Sequence, residues 1–236
     1  MLIDKKRHIL YNEENTNLKE TTMEILLGTT NPSKLKRFAS MLDGCGCTFV
    51  SPLDLEIRGE PDETGRTPEE NARMKAEFYG QYADYVLCED SGLYLAPLAL
   101  NDPRQPGLHI RTPMNGKRLD DDEMIAYYSE LIRSLGGSAD AYYLDAYAVY
   151  AKGRLTSFMS EELCRTRSFI MTSEPSPLRH PGWPLDSISK FRDTGLYFVE
   201  GRPGSDHGDP IALQEYRWQT MEFLHQSFGI GRQYGI

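Results

Sequence analysis

The order of helix starts and short apolar runs restricts the fold of this chain more than any other feature. Met23-Glu-Ile-Leu-Leu-Gly28 is a brief apolar run closed by glycine, and Thr29-Thr-Asn-Pro-Ser-Lys34 leads from it into a helical pattern of Leu35, Phe38, Met41 and Leu42. Asn31 suits the cap of that helix and Pro32 its first turn, where a missing amide hydrogen costs nothing. A second strand is expected near Thr48 to Pro52. Thr67-Pro68-Glu69-Glu70 is then a capping-box sequence with proline at the first helical position, and its helix should run to about Gln81. Tyr85 to Glu89 reads as a buried strand that ends on the turn sequence Asp90-Ser91-Gly92. Alternating strands and helices of this length require an α/β sheet with helices packed on it.

The second half reads differently. Residues 99–118, with Pro103, Pro106 and Pro113, form a long loop, and Asp120 to Leu135 a helix that Gly136-Gly137 terminates. Ala141 to Ala151, Leu155 to Phe158 and Cys164 to Thr172 suggest an antiparallel set with a turn at Lys152-Gly153, which would make a second lobe. Glu174 to Pro184 is irregular, and Pro210 to Phe228 should be the closing helix. Residues 1–22 read as a polar arm, with a short strand from His8 to Tyr11 as an option, ahead of one two-lobed domain over 23–232.

Composition narrows the partners. Twenty-six lysines and arginines against 35 aspartates and glutamates leave a net charge of −9, which argues against a nucleic-acid partner held by its backbone. No apolar run approaches the roughly 18 residues of a membrane span, and the first 22 residues lack the pattern of a signal peptide. The expectation is a cytoplasmic protein with no membrane partner. Cys45, Cys47, Cys88 and Cys164 offer neither a zinc knuckle nor a disulfide framework.

Small phosphates remain open through local clusters. A glycine-closed strand running into a helix start aims backbone amides and the positive end of the helix dipole at one spot, and Lys34 adds mobile charge one turn in. By itself this also describes an ordinary capped helix with a surface lysine. Asn71 and Lys75, four residues apart, share a face of the second helix beside Ala72 and Ala76. Glu60, Asp62 and Glu63 in one loop, and Glu89-Asp90 at a strand end, are oxygen ligands from two segments, which a magnesium ion bridging to phosphates requires. One such carboxylate can also accept a proton from an attacking water. Each acidic segment equally fits a solvated loop or turn.

Three blocks change the balance. Gly28-Thr29-Thr30-Asn31-x-x-Lys34, Glu63-Thr64-Gly65-x-Thr67-x-x-Glu70-Asn71-Ala72-x-x-Lys75-Ala76 and Glu89-Asp90-Ser91-Gly92-Leu93 occur in the order and near the spacing of the inosine triphosphate pyrophosphatase family, which the chain resembles from about Met23 to about Leu224. The resemblance implies a two-lobed α/β fold with a long curved mixed sheet and an active cleft between the lobes. It implies a homodimeric hydrolase that uses magnesium, or manganese in its place, to cut a nucleoside triphosphate into monophosphate and pyrophosphate. By position it makes Asp90, Lys75 and Lys34 catalytic. It places Glu63, Glu89 and Asp90 at the metal, and Thr29, Asn31, Asn71, Ser91, Gly92 and Arg111 among the substrate contacts.

The base-recognition motifs depart from the family. Gly182-Trp183-Pro184-Leu185-Asp186-Ser187 keeps one aromatic, Trp183, and Asp186, while Asp206-His207-Gly208 keeps His207 and lacks the arginine that relatives carry. Arg37 stands where many members have glutamate, and the loop from Pro106 to Arg111 is one residue shorter than in relatives. These changes leave the phosphate residues in place and put the base preference in question. Two alternatives follow: a catalytically weak nucleotide-binding or sensing protein, and a pyrophosphatase for a modified pyrimidine nucleotide.

Overall fold

The computed structural model describes residues 22–113, 116–201 and 210–231. The possible strand at His8 to Tyr11 lies outside them. In chain order the elements are β1 (Glu24–Leu27), α1 (Pro32–Met41), β2 (Thr48–Val50), α2 (Pro68–Tyr79), β3 (Tyr85–Leu95), α3 (Asp121–Ser134), β4 (Ser138–Ala151), β5 (Arg154–Met159), α4 (Glu161–Thr166), β6 (Phe169–Thr172), β7 (Ser189–Lys190) and α5 (Pro210–Phe228). The strands form one mixed sheet in the order β2-β1-β3-β4-β6-β7, with β5 also paired to β4. β2, β1 and β3 run parallel; every other pairing is antiparallel.

The long strands β3 and β4 are the spine. They pair without a break from Tyr85↔Ala151 to Leu95↔Ala141, so Asp90-Ser91-Gly92 continues a strand and is not the turn its composition suggests. The turn preference of those residues is a local one, and an 11-residue ladder to β4 that satisfies the backbone outweighs it. Gly92 has its own reason to be glycine. A Cβ there would lie 2.9 Å from the Tyr94 ring and 3.0 Å from the Gly107 carbonyl oxygen, because the loop after β3 folds back against the strand.

A second expectation also needs correction. Cys164 to Thr172 is not one strand: Ser160 Oγ accepts from Leu163 N (3.3 Å) and starts α4, leaving only Phe169–Thr172 extended. Since β5 pairs with β4 residues 146–151 and β6 with 138–141, α4 spans the part of the β4 edge between them. The Lys152-Gly153 turn is as expected, with both residues at positive φ in a two-residue hairpin.

Three apolar clusters make the core. Phe38 of α1 and Leu42, just past its end, join Tyr216, Leu224 and Phe228 of α5 over Leu87, Tyr147 and Val149. On the opposite face Ala72 and Ala76 let α2 approach Val86, Cys88, Ala146 and Ala148. Further along the same two strands, Leu93, Leu95 and Ala141 pack with Ile125 and Tyr128 of α3 and with Phe169 and Phe198, which builds the second lobe. Burying a Phe or Leu side chain is worth about 1.5–3 kcal/mol, well above an exposed ion pair. Phe38 and Leu42 therefore set where α1 lies, and the charged residues on α1 take their positions from that packing.

Candidate active site

On the side away from β4, β3 is covered at both ends. β1 pairs with it as far as Leu87, where Gly28 N donates to Leu87 O (2.8 Å). From Leu93 onward Gly107 takes over, exchanging two hydrogen bonds of 2.9 Å with Leu93. Among the described residues no strand lies beside 88–92 on that side, and this is where Glu89, Asp90 and Ser91 sit. Gly28 allows the approach from the β1 end, since a Cβ there would fall 2.3 Å from Cys88 Sγ and 2.7 Å from the Tyr79 ring. Thr29 Oγ1 accepts from Asn31 N (3.2 Å), and Asn31 O accepts the first amide of α1 from Leu35 (3.0 Å).

Successive residues of a strand point to opposite faces, so Glu89 and Asp90 part company. Asp90 turns toward α2. Its Oδ1 accepts from Lys75 Nζ at 2.9 Å and its Oδ2 from Asn71 Nδ2 at 3.0 Å. The Asn71 carbonyl oxygen accepts in turn from Gly65 N (2.8 Å), which ties the acidic loop to Asp90. Thr67 caps α2 through Glu70 N (3.2 Å), while Glu70 reaches Arg66 N (2.6 Å), so only one arm of the expected capping box forms. Glu63 Oε1 lies 3.0 Å from the same Lys75 ammonium. Burial works against the charge on Lys75, but Asp90 and then Glu63 outweigh it and hold the amine above its ordinary range.

Glu89 turns toward α1. Its Oε2 meets the Arg37 guanidinium directly and lies 3.7 Å from Lys34 Nζ. Burial alone would raise this carboxyl; Arg37 and then Lys34 prevail and hold it well below the usual carboxylate range. Behind the pair, the Tyr216 hydroxyl donates to Asp145 Oδ2 (3.1 Å) and lies 3.1 Å from the Tyr147 hydroxyl, and Arg167 Nη1 donates to the same Asp145 oxygen (3.0 Å). Sequence reading missed this group. The one local signal was Arg37, a helical turn beyond Lys34; the Asp145 contacts join distant segments.

The donor set can be tested against a divalent ion. Glu63 and Asp90 offer hard oxygens on one face, and both already contact a single cation, the Lys75 ammonium, at 3.0 and 2.9 Å. Such a pair fits magnesium, which takes one or two carboxylates and completes its shell with phosphate and water. Glu89 does not join them, being on the other face and held by two cations. Among the described residues no three acidic, histidine or cysteine side chains gather into a cage.

The remaining candidates line the second lobe. Ser91 is half-buried between the lobes and pairs in register with Asp145. Arg111 is a staple: it contacts Asp121 Oδ1 (3.0 Å) and Gly182 O (2.9 Å), while Gly182 N donates to Asp121 Oδ2 (2.7 Å). That fixes the half-buried Trp183 and the short 3-10 turn Pro184–Ser187 against α3. Asp186 is buried, and one oxygen is taken by His180 Nδ1 (2.9 Å). His207 lies outside the described residues.

Comparison with known proteins places the chain in a family. Residues 25–167 match the Ham1 family. A dITP/XTP pyrophosphatase of Leptospira interrogans is 29% identical over 200 residues, covering 76% of this chain and 98% of that protein. One from an Exiguobacterium species is 43% identical over 72 residues, 30% of this chain and 37% of that one. In fold, the chain is similar to the HAM1 protein of Coxiella burnetii (TM-score 0.63, 23% identity, 85% of this chain and 100% of that one). The Staphylococcus aureus Ham1 protein is comparable (TM-score 0.62, 18% identity, 85% and 99%).

Proposed function

The chain belongs to the Ham1 family, and from that premise we propose that it hydrolyses a nucleoside triphosphate carrying a non-standard purine to the monophosphate and pyrophosphate. One observation carries the reading. Across the open stretch of β3, two carboxylates share one ammonium on one face, and two cations share one carboxylate on the other. A triphosphate bound with a divalent ion presents both charges, and a chain of net charge −9 can hold it only through such a local arrangement. Relatives named dITP/XTP pyrophosphatase support the reaction class.

In this reading Lys34 and Lys75 hold phosphate oxygens. Asn71 and Lys75 each occupy one lone pair on a different oxygen of Asp90, which fixes the carboxylate plane and leaves a second lone pair on each oxygen for a water hydrogen. Asp90 thus orients the attacking water and accepts its proton. A magnesium or manganese ion, held by Glu63 and Asp90, would neutralise phosphate charge. From Glu89 to Leu93 β3 advances about 13 Å, the reach of a nucleotide from phosphate to base, and in this reading the base lies toward the second lobe, where Trp183 is its stacking candidate.

The test is a panel of nucleoside triphosphates with magnesium, scored for pyrophosphate against orthophosphate. Pyrophosphate from at least one non-standard purine triphosphate is expected. Orthophosphate alone from every substrate contradicts the cleavage position, and preferred turnover of a modified pyrimidine reassigns the base. The same reading carries a cytoplasmic homodimer, for which light scattering should give twice the chain mass.

A further inference from the structure

Lys34 and Arg37 stand one turn apart on α1 and converge on a single oxygen of Glu89. The carboxylate is deeply buried, with 2% of its side chain exposed, whereas 27% of the Lys34 side chain and 35% of that of Arg37 remain open. The two contacts are unequal. Arg37 touches Glu89 through Nη2 and its buried Nε meets no acceptor, so the guanidinium spends its hydrogen bonding here on this one anion. At 3.7 Å, Lys34 is beyond good hydrogen-bonding distance and contributes only as a nearby charge. Asp145, whose charge also acts on Arg37, has hydrogen-bond donors of its own in Arg167 and Tyr216.

We propose that Arg37 is a positioning residue that satisfies Glu89 and thereby leaves the Lys34 ammonium free for a phosphate oxygen of the substrate. The inference rests on the pyrophosphatase reading of this edge and adds to it a division of labour between the two cations. Without Arg37, the fixed carboxylate draws the flexible lysine in and cancels its charge. With Arg37, two cations face one anion, and the surplus positive charge points to the open strand edge.

Binding of inorganic tripolyphosphate, measured by calorimetry without nucleotide, reads this directly. Arg37→Leu should weaken it about tenfold or more, the scale of a lost charge-assisted contact. Arg37→Lys should restore most of the loss. The double variant Arg37→Leu/Glu89→Gln should bind within about threefold of the parent, because Lys34 again has no carboxylate to pair with. Glu89→Gln alone should bind as tightly as the parent or tighter, which keeps the test intact should Arg37→Leu fail to fold. Weakened binding by Glu89→Gln, unchanged binding by a folded Arg37→Leu, or a double variant as weak as the single overturns the proposal. A parent that binds tripolyphosphate but releases no pyrophosphate from any triphosphate contradicts the enzymatic reading and leaves the role of Arg37 standing.

Discussion

Asp90 and Glu89 are neighbours in sequence and opposites in environment. Asp90 shares Lys75 with Glu63 and takes an amide from Asn71, so its face of β3 carries excess negative charge. Glu89 is held by Arg37 and Lys34, so its face carries excess positive charge. The difference comes from the two-residue period of a strand together with helices packed on both faces. It teaches that two adjacent acids need not form one metal site. They can instead divide a metal–phosphate complex between them, one face meeting the cation and the other the anion.

The comparison is sharpened most by removing charge on the negative face. Asp90→Asn keeps the shape and should lower turnover about 100-fold or more, the range of general acid–base catalysis, with the circular dichroism spectrum unchanged. Turnover within about threefold of the parent takes Asp90 out of the chemistry. On the positive face the effect should be smaller and of another kind. Lys34→Met should raise KM about tenfold with less change in kcat, the signature of a contact made equally in ground and transition states. A fall in kcat alone would place Lys34 at the reacting bond.

Trp183→Ala probes the distant end of the nucleotide. Stacking on one ring is worth about 1–3 kcal/mol, so KM should rise by similar factors for every accepted purine triphosphate while kcat holds. Unchanged constants for all of them make Trp183 a packing residue of the second lobe. The smallest effect is on stability in acid. Because Glu89 is held below its ordinary value of 4.5, its charged form stabilises the fold fully above that pH, and the contribution disappears as pH falls through the lowered value. The Tm difference between the parent and Glu89→Gln should therefore shrink steadily below about pH 5; a constant difference down to pH 2 contradicts the ion cluster.

The sequence was most readable where the signal is local. The glycine-closed β1, the Thr67 cap, the Lys152-Gly153 hairpin and α5 from Pro210 to Phe228 follow from periodicity and end chemistry, and the structure has them there. It misled where tertiary pairing decides. Asp90-Ser91-Gly92 has turn composition, yet the ladder to β4 keeps it extended, and the expected strand from Cys164 begins inside α4, which Ser160 caps. The grouping of Asn71, Lys75, Glu63 and Asp90 follows from helix spacing and the family blocks. That Glu89 belongs with Arg37 could not be read without knowing that the strand continues, since only a strand sends adjacent residues to opposite faces. The Asp145, Arg167 and Tyr216 contacts join β4, the end of α4 and α5, separations that no local pattern encodes.

The division between the two faces is tested most directly by manganese binding in the presence of inorganic tripolyphosphate, followed by electron paramagnetic resonance in the parent and in the two adjacent variants. Asp90→Asn should abolish the protein-bound manganese signal, and Glu89→Gln should leave it at parental strength. Loss of the signal in Glu89→Gln with retention in Asp90→Asn would contradict the account, because the cation would then sit on the face assigned here to phosphate.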